Sequence, residues 1–114
     1  MIKFEWDDNK NKINILKHNV DFKEALTVFF DDNALLIEDD AHSSSEERFI
    51  LLGLSSRTNV LIVCHCYRAN EEVIRIISAR KATKNETKQY LEGRGLWKKN
   101  TISLMQKRIL MQIS

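Results

Sequence analysis

Four segments rich in Ile, Val, Leu and Phe, at Ala34–Ile37, Arg48–Leu54, Val60–Tyr67 and Val73–Ala79, follow one another with only short polar intervals between them. Such runs bounded by turn-forming residues read as strands. Parallel neighbours need crossover connections of a dozen or more residues, so hairpin-sized intervals predict consecutive antiparallel pairing. The flanks have a helical period instead. Asp7 or Asp8 caps a helix running to about Lys17, with Asn19 as a left-handed stop. Asp21 opens a second helix, with Glu24 at capping-box spacing and Phe22, Ala25, Leu26 and Phe29 on one apolar face. Thr83 and Glu86 form another capping box, for a helix from Lys84 to Leu91 that ends at Gly93. Phe4–Trp6 makes a further short strand, with Trp6 as a core anchor. The pattern is α+β: N-terminal helices packed on a mainly antiparallel sheet with a C-terminal helix.

At 114 residues the chain buries enough surface to fold as one domain without disulfides or a structural metal. Three Gly and no Pro leave no room for a low-complexity linker. The N-terminus has no apolar signal core, and no run approaches the roughly 18 to 20 apolar residues that span a bilayer. Cys64 and Cys66 sit two apart on a strand, too far along it for an unstrained disulfide, which fits a reducing, cytoplasmic location. A strand also sends His65 to the face opposite both sulfurs, so Cys64-His65-Cys66 is not a metal site, and no cofactor is implied. His42, among Asp39, Asp40, Ser43–Ser45 and Glu46, belongs to an acidic loop.

The net charge of +2 conceals a division, with an excess of acidic side chains before residue 67 and an excess of basic ones after it. No Lys or Arg lies within Asp31–Glu47, whereas Glu86 and Glu92 are the only acids within Arg75–Arg108. A basic half on a near-neutral protein points to a polyanion or an acidic partner.

Alternation along Val73–Arg80 gives one face with Val73, Arg75, Ile77 and Ala79 and another with Ile74, Ile76, Ser78 and Arg80, so each apolar face carries one arginine. The preceding strand offers His65 and Tyr67. Pairing Tyr67 with Val73 sets Arg75 across from His65, and a shift of one residue brings the Arg80 face round instead. Either register is expected to place a histidine, a phenol and a guanidinium on one surface, followed by Lys81, Lys84 and Lys88. That set suits metal-independent cleavage of RNA through its own 2′-hydroxyl, which needs a base, an acid and a cation for the phosphate. Arg75 and Arg80 hold the phosphate, and His65, Tyr67 and Glu47 are the proton-transfer candidates. Lys10, Lys17 and His18 on the first helix are further phosphate contacts.

The residues Phe4-Glu5-Trp6-Asp7, Asn9-Lys10, Asn14, Lys17-His18-Asn19-Val20, Phe22, Glu24-Ala25, Glu47-Arg48, Gly53 and Arg75–Thr83 with Glu86 and Tyr90 resemble, in the same order, the BrnT family of type II toxin–antitoxin toxins. The resemblance covers about residues 2–93 and implies a small RelE-like fold and a growth-slowing ribonuclease. It further implies neutralisation by a BrnA-type antitoxin, whose ribbon-helix-helix part lets the complex bind operator DNA. Asn19 stands where the family usually has Gly, and roles for His65 and Tyr67 are not part of the resemblance. The domain is assigned to residues 1–93. Residues 94–114 form an extension, with Ile102, Met105, Ile109 and Ile113 at helical spacing. A second reading is a non-catalytic subunit that binds an antitoxin or nucleic acid through its basic half.

Overall fold

The computed structural model describes residues 2–39, 47–70 and 72–93, and the backbone of 98–99. The elements are β1 (Lys3–Glu5), α1 (Asp8–His18), α2 (Phe22–Thr27) with a 3₁₀ turn at Val28–Phe30, and β2 (Leu35–Glu38). They continue with β3 (Phe49–Leu54), β4 (Val60–Arg68), β5 (Val73–Lys81), α3 (Lys84–Glu92) and β6 (Lys98–Lys99). The sheet order is β1-β5-β4-β3-β2-β6. β2 to β5 pair antiparallel in sequence, as hairpin-sized intervals require. β1 adds to β5 in parallel, which its distance from β5 along the chain permits.

The helix ends follow the local chemistry. The Asp7 carboxylate accepts from Asn9 N and Lys10 N, so it is held below its ordinary pKa. Asn19 takes φ 55° at the end of α1 and Gly93 φ 64° at the end of α3. Thr83 and Glu86 form the reciprocal capping box. The expected box at Asp21 does not form. Asp21 accepts from Lys23 N, but Glu24 turns inward and accepts from Ser55 Oγ at 2.6 Å and Asn59 Nδ2 at 2.8 Å. A nearly buried carboxylate takes the partners that satisfy it, and these lie on the β3–β4 turn.

One sheet face packs on α2. Phe22, Ala25, Val28 and Phe29 meet Leu51, Leu61, Val63, Ile74, Ile76 and Ala79, with Phe4 and Trp6 at the margin. Trp6 stands edge-on to Phe22, as a core anchor does. Gly53 is needed here, because a Cβ would lie 2.8 Å from Val28 and 2.9 Å from Ala34. α1 contributes one buried side chain, Asn14, and rides on the edge of β5. The Asn14 amide donates to Val20 O and Ala79 O, both at 2.8 Å, and accepts from Ala79 N at 3.0 Å. It thus replaces the strand partner that β1, which reaches only Arg75, does not provide.

On the other face Leu35, Leu52 and Ile62 form a smaller cluster with Ala82 and Tyr90 against it. α3 has no buried residue. Polar contacts fasten it instead: Glu86 to Arg80, and Tyr90 Oη to Asp31 at 2.6 Å.

The alternation expected along Val73–Arg80 is broken. His65 pairs with Ile76 and Cys64 with Ser78, leaving Ile77 as the extra residue of a β-bulge. The bulge shifts the facing of everything after it by one. Arg75, opposite Cys66, and Arg80, opposite Ile62, therefore share one sheet face, while Ile74, Ile76 and Ala79 all reach the α2 core. Of the two anticipated registers the shifted one occurs, with Tyr67 paired to Ile74, but the bulge turns Arg80 off the His65 face that this register would otherwise have given it.

The acidic loop around His42 and the helical stripe of the C-terminal extension lie outside the described residues. Among the described residues, no helix is long and apolar enough to cross a membrane.

Candidate active site

The bulge separates the groups that were expected to meet. His65 lies on the α2 face, fully buried, with its ring edge-on to Phe29 at a centroid distance of 4.7 Å. Its Nδ1 lies 3.2 Å from Val63 O, an oxygen that can only accept, so Nδ1 carries the proton and donates. Nε2 then accepts from Tyr67 Oη at 3.1 Å. Burial lowers the imidazole pKa to about 4, so His65 is neutral at physiological pH. The histidine–phenol pair is a satisfied core contact on the face opposite both arginines. The expectation of a shared His–Tyr–Arg surface is overturned.

The arginine face holds a groove of about 230 Å³, whose lining includes Asp39, Arg48, Cys64, Ile77, Ser78 and Arg80. β3 brings Arg48 there by continuing the alternation from Ile50, which pairs with Cys64. Burial pushes the Cys64 thiol pKa up, against the opposing pull of Arg48, and so keeps the sulfur protonated and unreactive at neutral pH. Arg80 is held bidentately by Glu86, Nη1 to Oε1 at 2.8 Å and Nη2 to Oε2 at 3.0 Å. The guanidinium lowers the Glu86 pKa to about 2 and the carboxylate raises that of Arg80, so both stay charged across the physiological range. Because Glu86 also accepts from Thr83 N, the α3 N-cap sets the orientation of Arg80.

Arg75 is on the same face but is engaged elsewhere. Its Nη1 donates to Glu5 at 2.6 Å, with Arg68 3.6 Å from the same oxygen. A second groove, of about 190 Å³, lies between α1 and β5, with Lys10, Ile13, Lys17 and His18 on one wall and Ile77 and Ser78 on the other. Ile77 and Ser78 line both grooves. The bulge is the point at which they meet.

Not every expected phosphate contact is near this junction. Lys81 pairs with Leu61, on the side of the sheet opposite Arg80. Lys84 and Lys88 lie on a side of α3 turned away from Glu86 and Tyr90. Glu47 is exposed next to Arg48 but does not line the groove. The candidates that do come together are Arg80 on one side and Lys10, Lys17 and His18 on the other, joined by Arg48, Asp39 and Ser78, which sequence reasoning did not select. Period-two alternation back from Ile50 was the available signal for Arg48; Ser78 depended on the bulge.

The family model described as "Ribonuclease toxin, BrnT, of type II toxin-antitoxin system" matches residues 6–86. The crystal structure of the ribonuclease toxin BrnT of Brucella abortus is similar over 74% of this chain and 100% of that one, at 25% sequence identity and a TM-score of 0.59. No curated protein matches the chain. With more than half of its length matched by the family model and its fold shared with that toxin, the chain belongs to the BrnT family of ribonuclease toxins of type II toxin–antitoxin systems.

Proposed function

We propose that this chain is the toxin of a type II pair, a metal-independent endoribonuclease that slows growth by cutting RNA. In this reading a BrnA-type ribbon-helix-helix antitoxin neutralises it, and operator DNA is bound only through that complex. The observation that carries the catalytic reading is the meeting of two grooves at Ile77–Ser78, with guanidinium groups in one and Lys10, Lys17 and His18 in the other. An RNA backbone crossing the bulge would place one phosphate against Arg48 and Arg80 and its neighbour against the α1 lysines. Fixed guanidinium donors suit the crowded phosphorus of the transition state, and mobile ammonium groups suit backbone tracking.

The reaction forms a bond from the 2′-oxygen to phosphorus and breaks the bond from phosphorus to the 5′-oxygen. A base takes the 2′ proton and an acid supplies one to the leaving oxygen, giving a 2′,3′-cyclic phosphate and a 5′-hydroxyl. His18, an exposed imidazole beside Ser78, takes the proton-transfer role that burial denies to His65. Glu47 is the second candidate. Arg75, Lys81, Lys84 and Lys88 then contribute to the field around the RNA and not to the reacting phosphate.

The test is cleavage of a defined RNA by the purified chain freed of antitoxin, with and without EDTA. Arg48→Ala and Arg80→Ala are each expected to lose about 100-fold or more in rate, the scale for removing a donor to developing charge, while thermal unfolding remains cooperative. Intact RNA under both conditions overturns the enzymatic reading in favour of the non-catalytic subunit. Activity abolished by EDTA overturns metal independence, and an Arg80→Ala protein as fast as the parent overturns the assigned site. Expression of the chain alone should arrest bacterial growth, and Arg80→Ala should relieve the arrest.

A further inference from the structure

We infer that residues 101–114 dock in cis along the groove between α3 and the β2–β3 end of the sheet, as the cover that α3 lacks. Three observations converge on this occupant. α3 buries none of its own residues, and Leu91 near its end is 75% exposed. Beside it lies a groove of about 450 Å³, whose lining includes Leu35, Leu54, Tyr90, Leu91, Glu92 and Gly93, with Leu54 also 37% exposed. A groove flanked by exposed leucines, beside a helix that buries none of its own residues, is an unfinished core.

The second observation is the direction of the chain. β6 pairs antiparallel with β2, Lys98 opposite Leu36 and Lys99 opposite Leu35. Extended by one or two residues, that antiparallel pairing would lead past Ala34 to Asn33, and the β2–β3 register, Leu35 opposite Leu52, puts Leu54 at that same end. The chain leaves α3 at Gly93, beside the groove, and the strand returns it to the groove's mouth.

The third is the sequence that arrives there. Ile102, Met105, Ile109 and Ile113 recur at three- and four-residue steps, which on a helix form one stripe. At 1.5 Å per residue the stripe spans about 17 Å, enough to run the length of α3. Lys107 falls on the opposite side. This segment lies beyond residue 86, where the family match ends, so it is an addition to the toxin domain. The inference does not depend on the ribonuclease reading.

The experiment is hydrogen exchange on the full-length chain, comparing the parent with Ile109→Asp, Leu91→Asp and Lys107→Asp. Ile109→Asp and Leu91→Asp should each speed exchange of the α3 amides from Thr87 to Leu91, and of residues 102–113, by at least tenfold. Lys107→Asp, the larger charge change on the opposite side, should leave both unchanged, and the core amides of Val63 and Ala79 should exchange at the parent rate in all three. A chain ending at Asn100 should reproduce the fast α3 exchange if a point variant does not fold. Unchanged α3 exchange in Ile109→Asp and in the shortened chain overturns the inference. So does protection that disappears on dilution of the parent, which would make the occupant a second copy of the chain.

Discussion

Substituting Glu86→Gln tests the link between α3 and the arginine site. In the parent, both carboxylate oxygens accept from Arg80 and one also accepts from Thr83 N. Gln keeps one acceptor and turns an NH₂ toward a guanidinium that has no acceptor to offer. A carboxyl brought from 4.5 to about 2 corresponds to at most about 3 kcal/mol at 1.36 kcal/mol per unit. Arg80 is 41% exposed, however, so solvent screening reduces the expected loss to about 1–2 kcal/mol. With a urea m-value of about 1–2 kcal/mol/M, the unfolding midpoint should fall by about 1 M at pH 7. The sign with pH follows from a folded pKa below the unfolded one: the contribution is complete above about 4.5 and is lost as pH falls toward 2. Parent and variant should therefore differ at pH 7 and converge between pH 4.5 and 2. Since Arg80 is retained but no longer oriented, RNA cleavage should also fall, by about tenfold. Equal midpoints at pH 7, or a difference that persists undiminished at low pH, would refute the assignment of the pair as the fastening of α3.

Two further substitutions separate frame from chemistry. Asn14→Ala strands Ala79 N and two carbonyls in a buried place, which should cost about 3 kcal/mol, measured by urea unfolding; a loss below about 1 kcal/mol would mean that water or a shifted α1 replaces the amide. His65→Gln should leave RNA cleavage at the parent rate while removing a pH dependence. A histidine with its folded pKa depressed to about 4 stabilises fully above about 6.5, and this stability, up to about 3 kcal/mol, drains away as pH falls from 6.5 to 4. A variant with the same slope in that window, or with abolished cleavage, would return His65 to the site.

What could be read in advance was what short range decides. The apolar runs, the caps at Asp7 and Thr83, and the left-handed stops at Asn19 and Gly93 each depend on residues within a turn of one another. The failures have the opposite character. Glu24 has capping spacing, but its partners are Ser55 and Asn59, 31 and 35 residues away. The facing of Arg75 and Arg80 turned on one unpaired residue, Ile77, and a bulge is a property of two strands in register, invisible in either alone.

That single bulge also explains why a histidine two residues from a tyrosine was a misleading signal. Had β5 paired without interruption from Arg75 onward, Ala79 would have shared the face of Arg75, and Arg80 would have pointed with Ile76 into the α2 core. A guanidinium buried among Phe29, Val63 and Ile76 would carry a desolvation penalty of several kcal/mol, and the one buried carboxylate described there, Glu24, is already taken by Ser55 and Asn59. The extra residue keeps three apolar side chains of β5 inward and both arginines outward, and leaves Ser78 between the two grooves. Asn14 supports the same segment from the edge by binding both the N–H and the C=O of Ala79, the second residue after Ile77. Several residues that carry the family resemblance, Asn14, Thr83 and Glu86 among them, thus build the frame that turns Arg80 outward, and the chemistry is left to the few charged groups on either side of the bulge.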